Sequence, residues 1–201
     1  MSRYCSKCGK ANKACICQWI QNLASNVELI ILQHPNEQNR PLGTARILQL
    51  SLANSQVFVG ENFSNHQQLN SLLNESDTVH YVLFPNDDSK LLAQEALPSC
   101  AKKVRVILID GTWRKAYKIW QLSSNLHTLP SIHLPEGLKG QYLIRKAPSE
   151  NSLSTVEAGY HMLSILEPER DFSPLLTAFE KMIQFQIDQM PKEVFEKNYR
   201  E

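Results

Sequence analysis

Hydrophobic positions along the chain fall into two rhythms. Val27–Leu32, Thr78–Phe84 and Val104–Asp110 are short, nearly continuous apolar runs rich in β-branched residues, the pattern of strands buried on both faces of a parallel sheet. Gln56–Val59, Ser131–Leu134 and Gln141–Ile144 predict shorter strands between turn-forming residues. The intervening segments have helical spacing. Thr44–Leu52 sets Ala45, Leu48 and Leu52 on one stripe, Gln67–Leu73 is similar, Ser89 is placed to cap a helix through Leu91, Leu92 and Ala96, and a further helix runs from Arg114 to about Leu122. In the last helix Ser173 is the expected cap and Pro174 the first residue. Its apolar stripe is Leu175, Phe179, Met182, Ile183 and Met190, and Pro191 stops it. The whole predicts an α/β fold, a mostly parallel sheet flanked by helices.

In such sheets ligands bind beyond the carboxyl ends of the strands, which directs attention to the residues after each apolar run. The central strand closes on Asp110-Gly111-Thr112-Trp113, and Arg114 and Lys115 open the next helix. The first strand runs into His34-Pro35-Asn36-Glu37-Gln38-Asn39-Arg40-Pro41, a loop in ligand position. His34 on its own reads equally as a hydrogen-bonded structural histidine, held extended by Pro35. Pro85-Asn86-Asp87-Asp88-Ser89 closes the third run, where the two acids suit a helix start better than a metal ion. Gly137 and Gly140 flank Lys139 and suit a turn or a close approach to a ligand. Farther on, Ser154 and Glu157 fit a capping box, which leaves Arg145 as a guanidinium at a strand end, suited to a carboxylate or phosphate.

Composition narrows the class. A chain of 201 residues with 42% hydrophobic and 20% charged residues suits a globular protein of one large domain, or a domain with a small accessory module. No apolar stretch approaches the length of a membrane helix and the N-terminus lacks a signal-type apolar core, so a cytoplasmic protein with no membrane partner is expected. Lys and Arg total 21 against 20 Asp and Glu, so overall charge does not announce a nucleic-acid binder. A local patch does form: Lys102, Lys103, Arg105, Arg114, Lys115 and Lys118 face only Asp110, which a solvated helix explains as well as a phosphate site. There is no internal repeat, no G-x-G-x-x-G and no P-loop, so the usual glycine signatures for NAD and ATP are missing.

Cys5-x-x-Cys8 and Cys15-x-Cys17, joined by a polar loop with Gly9 at the turn, can converge four thiolates on one tetrahedral Zn²⁺. Disulfides compete with this reading but do not suit a reducing compartment. A closed four-sulfur shell would be structural, and Cys100 is expected to be a small buried residue. This divides the chain into a cysteine-rich module, residues 1–25, and a larger domain, residues 26–201.

Taken together, the N-terminal cysteines, His34-Pro35-x-Glu37-x-x-Arg40 with Thr44, Asp110-Gly111-Thr112-Trp113, and Arg145-Lys146-Ala147-Pro148 leading to Leu153-Ser154-Thr155-x-Glu157-Ala158 resemble the DTW-domain family. Each motif is short, but their order and spacing cover nearly the whole chain. The resemblance implies a tRNA-uridine aminocarboxypropyltransferase related to the SPOUT class, with a C-terminal trefoil knot. Such an enzyme transfers the 3-amino-3-carboxypropyl (acp) group of S-adenosylmethionine to N3 of a uridine and releases methylthioadenosine. It further implies Asp110 as general base, aided by Thr112 and by Trp113, which either stacks on the base or packs the turn. Phe84, Pro85, Ile109, Gly111, Leu143 and Ile144 would flank the adenosine, and Arg145, Ser154, Thr155 and Glu157 would form the methionine carboxylate pocket. His34, Arg40, Arg46, Arg114, Lys115 and Lys146 would contact tRNA. Two other readings stand beside it: a SPOUT-like RNA methyltransferase, and a zinc-stabilised RNA-binding module without catalysis. A monomer is slightly favoured.

Overall fold

The protein is described by a computed structural model that covers residues 2–93, 103–138, 140 and 153–191. Six strands, β1 (Val27–Gln33), β2 (Ser55–Val59), β3 (Thr78–Leu83), β4 (Lys90–Leu91), β5 (Lys103–Asp110) and β6 (Ser131–His133), form one sheet in the order β2-β1-β5-β3-β6-β4. Every pairing is parallel. The helices are α1 (Ala45–Ser51), α2 (Gln67–Leu73), α3 (Trp113–Leu122), α4 (Thr155–Leu166) and α5 (Ser173–Asp188).

Strand alternation builds the two cores. Leu29 and Ile31 of β1 with Val106 and Leu108 of β5 face α1, α4 and α5, where Leu48, Leu163 and Phe179 meet them. Ile30, Leu32, Ile107 and Val82 point the other way, onto Leu69 of α2 and Ala116, Ile119 and Trp120 of α3. Both sheet faces are therefore covered, which is why these strands read as unbroken apolar runs. Fully burying each such side chain contributes roughly 1.5–3 kcal/mol.

The cysteine-rich segment joins the first of these cores. Cys8 and Ile16 are buried in it, and the 3-10 turn Cys17–Trp19 lies against α5. Lys10 Nζ donates to the Pro41 carbonyl at 2.5 Å and the Gly43 carbonyl at 3.3 Å, and Arg46 donates to the Lys7 carbonyl at 2.8 Å. Gly9 makes the expected turn with φ of 72°.

Two local expectations give way to tertiary contacts. Where a helix through Leu91, Leu92 and Ala96 was expected, Lys90–Leu91 form strand β4, and Ala96 lies outside the described residues. Ser89 Oγ is engaged with the Asn86 carbonyl at 2.7 Å and His133 Nδ1 at 3.0 Å, and Leu92 N–H donates to the His133 carbonyl, so pairing with β6 overrides the cap. In α5, Ser173 is already helical and the N-cap is Phe172; the Asp171 carboxylate, two residues before Ser173, accepts from Ser173 N–H at 2.8 Å, and Pro174 is second. Cys100 and the segment Gln141–Ile144 lie outside the described residues.

Candidate active site at the carboxyl edge of the sheet

β1 and β5 are neighbours in register, so Gln33 stands opposite Asp110 at their carboxyl ends. The side chains meet: Gln33 Nε2 donates to Asp110 Oδ2 at 2.8 Å, and Thr155 Oγ1 donates to Asp110 Oδ1. Asp110 is 6% exposed. The arrangement fixes the carboxylate between two strands and a helix end.

That helix end has a local origin. Ser154 is the N-cap of α4, the Glu157 carboxylate accepts from Ser154 N–H at 2.7 Å and from its hydroxyl at 2.6 Å, and both are buried. The capping box expected from sequence is present, and Thr44 Oγ1 accepts from Val156 N–H. The amino terminus of α4 is thus aimed at the strand ends, where it favours negative charge.

A cavity of about 330 Å³ opens between these ends. Leu83 at the end of β3 with Phe84 and Pro85 after it, Ile109 of β5 with Gly111 after it, Trp113, His133, Leu134 and the 135–138 turn line it, with Ser154 and Thr155 at one side. Its mixture of apolar walls and a few polar groups at one end is that of a small-molecule site, and its size falls at the lower end of the usual range. Phe84 is held by stacking on Trp120 with ring centroids 5.0 Å apart. Gly111 matters sterically: a Cβ there would lie 3.0 Å from Lys115 Cβ and 3.7 Å from His34 Cβ. Asp110 lies behind the lining: its neighbours Ile109 and Gly111 and its hydrogen-bond partner Thr155 face the cavity.

Ion pairs tie the surrounding loops to α3. His34, buried, accepts from Asn36 N–H at Nδ1 and lies 2.8 Å from Glu61 through Nε2; Glu61 also holds Lys118 at 2.6 Å. Lys115 reaches Glu37 at 2.6 Å, and Arg40 reaches the other oxygen of Glu37 at 3.2 Å. His34 and Lys115 thus each have a partner within the chain. Arg46, bonded to Gln49 and Lys7, is a brace between α1 and the cysteine segment. The basic patch divides: Lys103 and Arg105 belong to the opposite end of β5, where Arg105 is 2% exposed and pairs with Glu28 and with Glu75 at 2.8 Å. Arg114 and Arg40 remain at the surface, while Trp113 is 50% exposed with one side on the cavity.

Thr112 is the N-cap of α3, and its carbonyl accepts from Ala116 N–H. Leu143, Ile144, Arg145 and Lys146 lie outside the described residues. Gln33, Glu61 and His133 are site residues that the motifs do not contain; Gln33 carried a signal as the polar residue ending an apolar strand.

In the cysteine segment, Cys5, Cys8, Cys15 and Cys17 bring their sulfurs within 4.8 Å of one another. Cys5–Cys17 and Cys8–Cys15 are each separated by 3.8 Å, too far for disulfides. Four sulfurs each about 2.3 Å from one tetrahedral ion would lie roughly 3.8 Å apart, so the spacing fits. Hydrogen bonds from the backbone of Cys8 and Lys7 hold the Cys5 thiol down to about 6, whereas burial and the adjacent sulfurs push Cys17 up to about 12.

The parallel sheet, its flanking helices and the acid-centred carboxyl edge define an α/β domain with a cavity at its strand ends. The chain belongs to the DTW-domain family, whose model matches residues 2–187. It is 33% identical over 192 residues to tRNA-uridine aminocarboxypropyltransferase 2 of Drosophila melanogaster, covering 92% of this chain and 75% of that one. It is 30% identical to the Macaca fascicularis protein of the same name, covering 91% and 63%, and 23% identical to tRNA-uridine aminocarboxypropyltransferase A of Arabidopsis thaliana, covering 90% and 80%. No solved structure matches the chain significantly. Among the described residues no helix is long and apolar enough to cross a membrane.

Proposed function

We propose that this chain transfers the 3-amino-3-carboxypropyl group of S-adenosylmethionine to N3 of a uridine in tRNA. The observation that carries the reading is the fixed Asp110 carboxylate, bonded to Gln33 and Thr155 beside a cavity that can hold a nucleoside. Relatives bearing this activity in their names support it.

The reaction places specific demands on the site. The uracil N3–H is weakly acidic, so N3 becomes a competent nucleophile only as its proton leaves. Thr155 lines the cavity and donates to Asp110, which suggests a relay: the hydroxyl takes the N3 proton while passing its own to the carboxylate. N3 then bonds to the γ-carbon of the methionine moiety. The carbon–sulfur bond breaks, its electron pair stays on sulfur, and the sulfonium becomes the neutral thioether of methylthioadenosine. Because the sulfonium has several electrophilic carbons, orientation decides the product. Phe84, Pro85, Ile109 and Gly111 would hold the adenosine, and the amino terminus of α4, held in place by the Ser154–Glu157 cap, would receive the carboxylate.

Arg145 is retained as a proposed partner for that carboxylate, Leu143 and Ile144 as adenosine contacts, and Lys146 with Arg40 and Arg114 as tRNA contacts, all on the family resemblance. The same resemblance supports a SPOUT-type knot. Residues 1–25 would act as a zinc-bearing brace for the 26–201 catalytic domain, with Cys5, Cys8, Cys15 and Cys17 as ligands in a closed, structural site. The protein would work in the cytoplasm, where its tRNA substrate is found. Incubation with tRNA and S-adenosylmethionine, followed by nucleoside analysis, tests the reading: acp-uridine and methylthioadenosine are expected, and S-adenosylhomocysteine as the by-product would assign a methyltransferase instead.

A further inference from the structure

The outer face of α3 remains unexplained by the site beneath it. Trp113 and Tyr117 are 50% and 57% exposed, unusual values for large aromatics on a helix whose other face, through Ala116, Ile119 and Trp120, is buried against the sheet. They stand four residues apart, so they share one side of the helix. Arg114 and Lys118, also four apart, form the adjoining exposed stripe, and α3 contains no acidic residue. Lys118 is balanced by Glu61 and Lys115 by Glu37, whereas the exposed Arg114, beside the two rings, has no ion pair among the described residues. Trp113 also lines the cavity, so this face begins at the mouth of the candidate active site.

We propose that Trp113 and Tyr117 clamp one unpaired base of the RNA substrate, the neighbour of the reacting uridine, while Arg114 holds its backbone phosphate. The inference rests on the reading of the chain as a tRNA-modifying enzyme and adds a positioning site to it. Side chains at i and i+4 leave a helix roughly 6 Å apart. A base held between two rings needs about two stacking intervals, roughly 7 Å, so the spacing suits a single inserted base. Only an unstacked nucleotide offers both faces, which excludes a base within a duplex. The Arg114 guanidinium beside the rings, with no acid on the helix, favours a phosphate-bearing occupant over an apolar protein surface. With its neighbour gripped at the rim, the target uridine is carried over the cavity in a fixed register.

The test is equilibrium binding of labelled tRNA by fluorescence anisotropy to Tyr117→Ala, Tyr117→Phe and Arg114→Ala variants of the full chain. Loss of one base stack predicts a roughly tenfold or larger rise in Kd for Tyr117→Ala, with Tyr117→Phe within about twofold of the parent. Arg114→Ala is expected to lower the slope of log Kd against log salt by about one. Methylthioadenosine binding and the unfolding midpoint serve as controls and are expected to be unchanged, because Tyr117 projects into solvent. Unaltered tRNA binding by Tyr117→Ala overturns the clamp, as does a Tyr117→Phe variant as weak as the alanine. A protein that transfers no acp group yet loses tRNA affinity in Tyr117→Ala keeps the clamp and refutes only the assigned reaction. Normal transfer with unaffected binding refutes the clamp alone.

Discussion

Thr155 Oγ1 donates to Asp110 Oδ1, joining the amino terminus of α4 to the carboxyl end of β5. Gln33 completes the grip from β1. Asp110 accordingly reaches the cavity through a hydroxyl. If that bond carries the proton, Thr155→Ser will retain most of the transfer rate and Thr155→Val will lose roughly 100-fold or more in kcat. Equal rates for Ser and Val variants would assign Thr155 to packing alone. Asp110→Asn should fall at least as far while still binding methylthioadenosine, as measured by calorimetry.

The α4 cap is a separate, structural matter. Removing the Glu157 carboxylate leaves the Ser154 N–H and hydroxyl without their acceptor in a buried position. Glu157→Ala is therefore expected to cost about 1–3 kcal/mol in urea unfolding, and Glu157→Gln, which keeps an acceptor, appreciably less. Equal losses would show that the capping bonds contribute little.

The four sulfurs predict one Zn²⁺ per chain by elemental analysis of the purified protein. Because Cys8 and Ile16 belong to the main core, Cys8→Ser should release the metal and lower the unfolding midpoint by several degrees. A metal-free protein with an unchanged midpoint would contradict the bracing role.

Acid should weaken the fold before its carboxylates titrate. Burial, and then the nearby Arg105 charge, hold His80 below its ordinary value of 6.5, with Glu75 and Glu28 opposing the shift. His161 is lowered by burial as well. The unfolded chain takes up these protons first as pH drops through about 6.5, so stability present above that value declines until the folded values are reached. The urea midpoint should thus fall between about pH 7.5 and pH 5.5, and His80→Leu should lessen the drop. A midpoint that rises on acidification would contradict this sign.

What sequence made visible was local or periodic. Ser154 and Glu157 are three residues apart and satisfy each other, so their capping box is readable without a fold. The unbroken runs of β1, β3 and β5 carry the signature of strands covered on both faces. Ser89 misled because its competing partner, His133, lies on another strand, and the resulting sheet pairing outweighs a helix cap. The internal partners of His34, Lys115 and Arg46, namely Glu61, Glu37 and the Lys7 carbonyl, are distant in sequence and were not legible there. Gln33 stood out as the polar end of an apolar strand, but its partner became visible only from the register that sets it opposite Asp110.

The most direct measurement is mass spectrometry of tRNA incubated with this protein and S-adenosylmethionine carrying ¹³C in the carbons of its 3-amino-3-carboxypropyl group. Transfer by the Asp110 site predicts labelled acp-uridine in the tRNA and unlabelled methylthioadenosine in solution. Label confined to S-adenosylhomocysteine, with a methylated nucleoside in the tRNA, would contradict it.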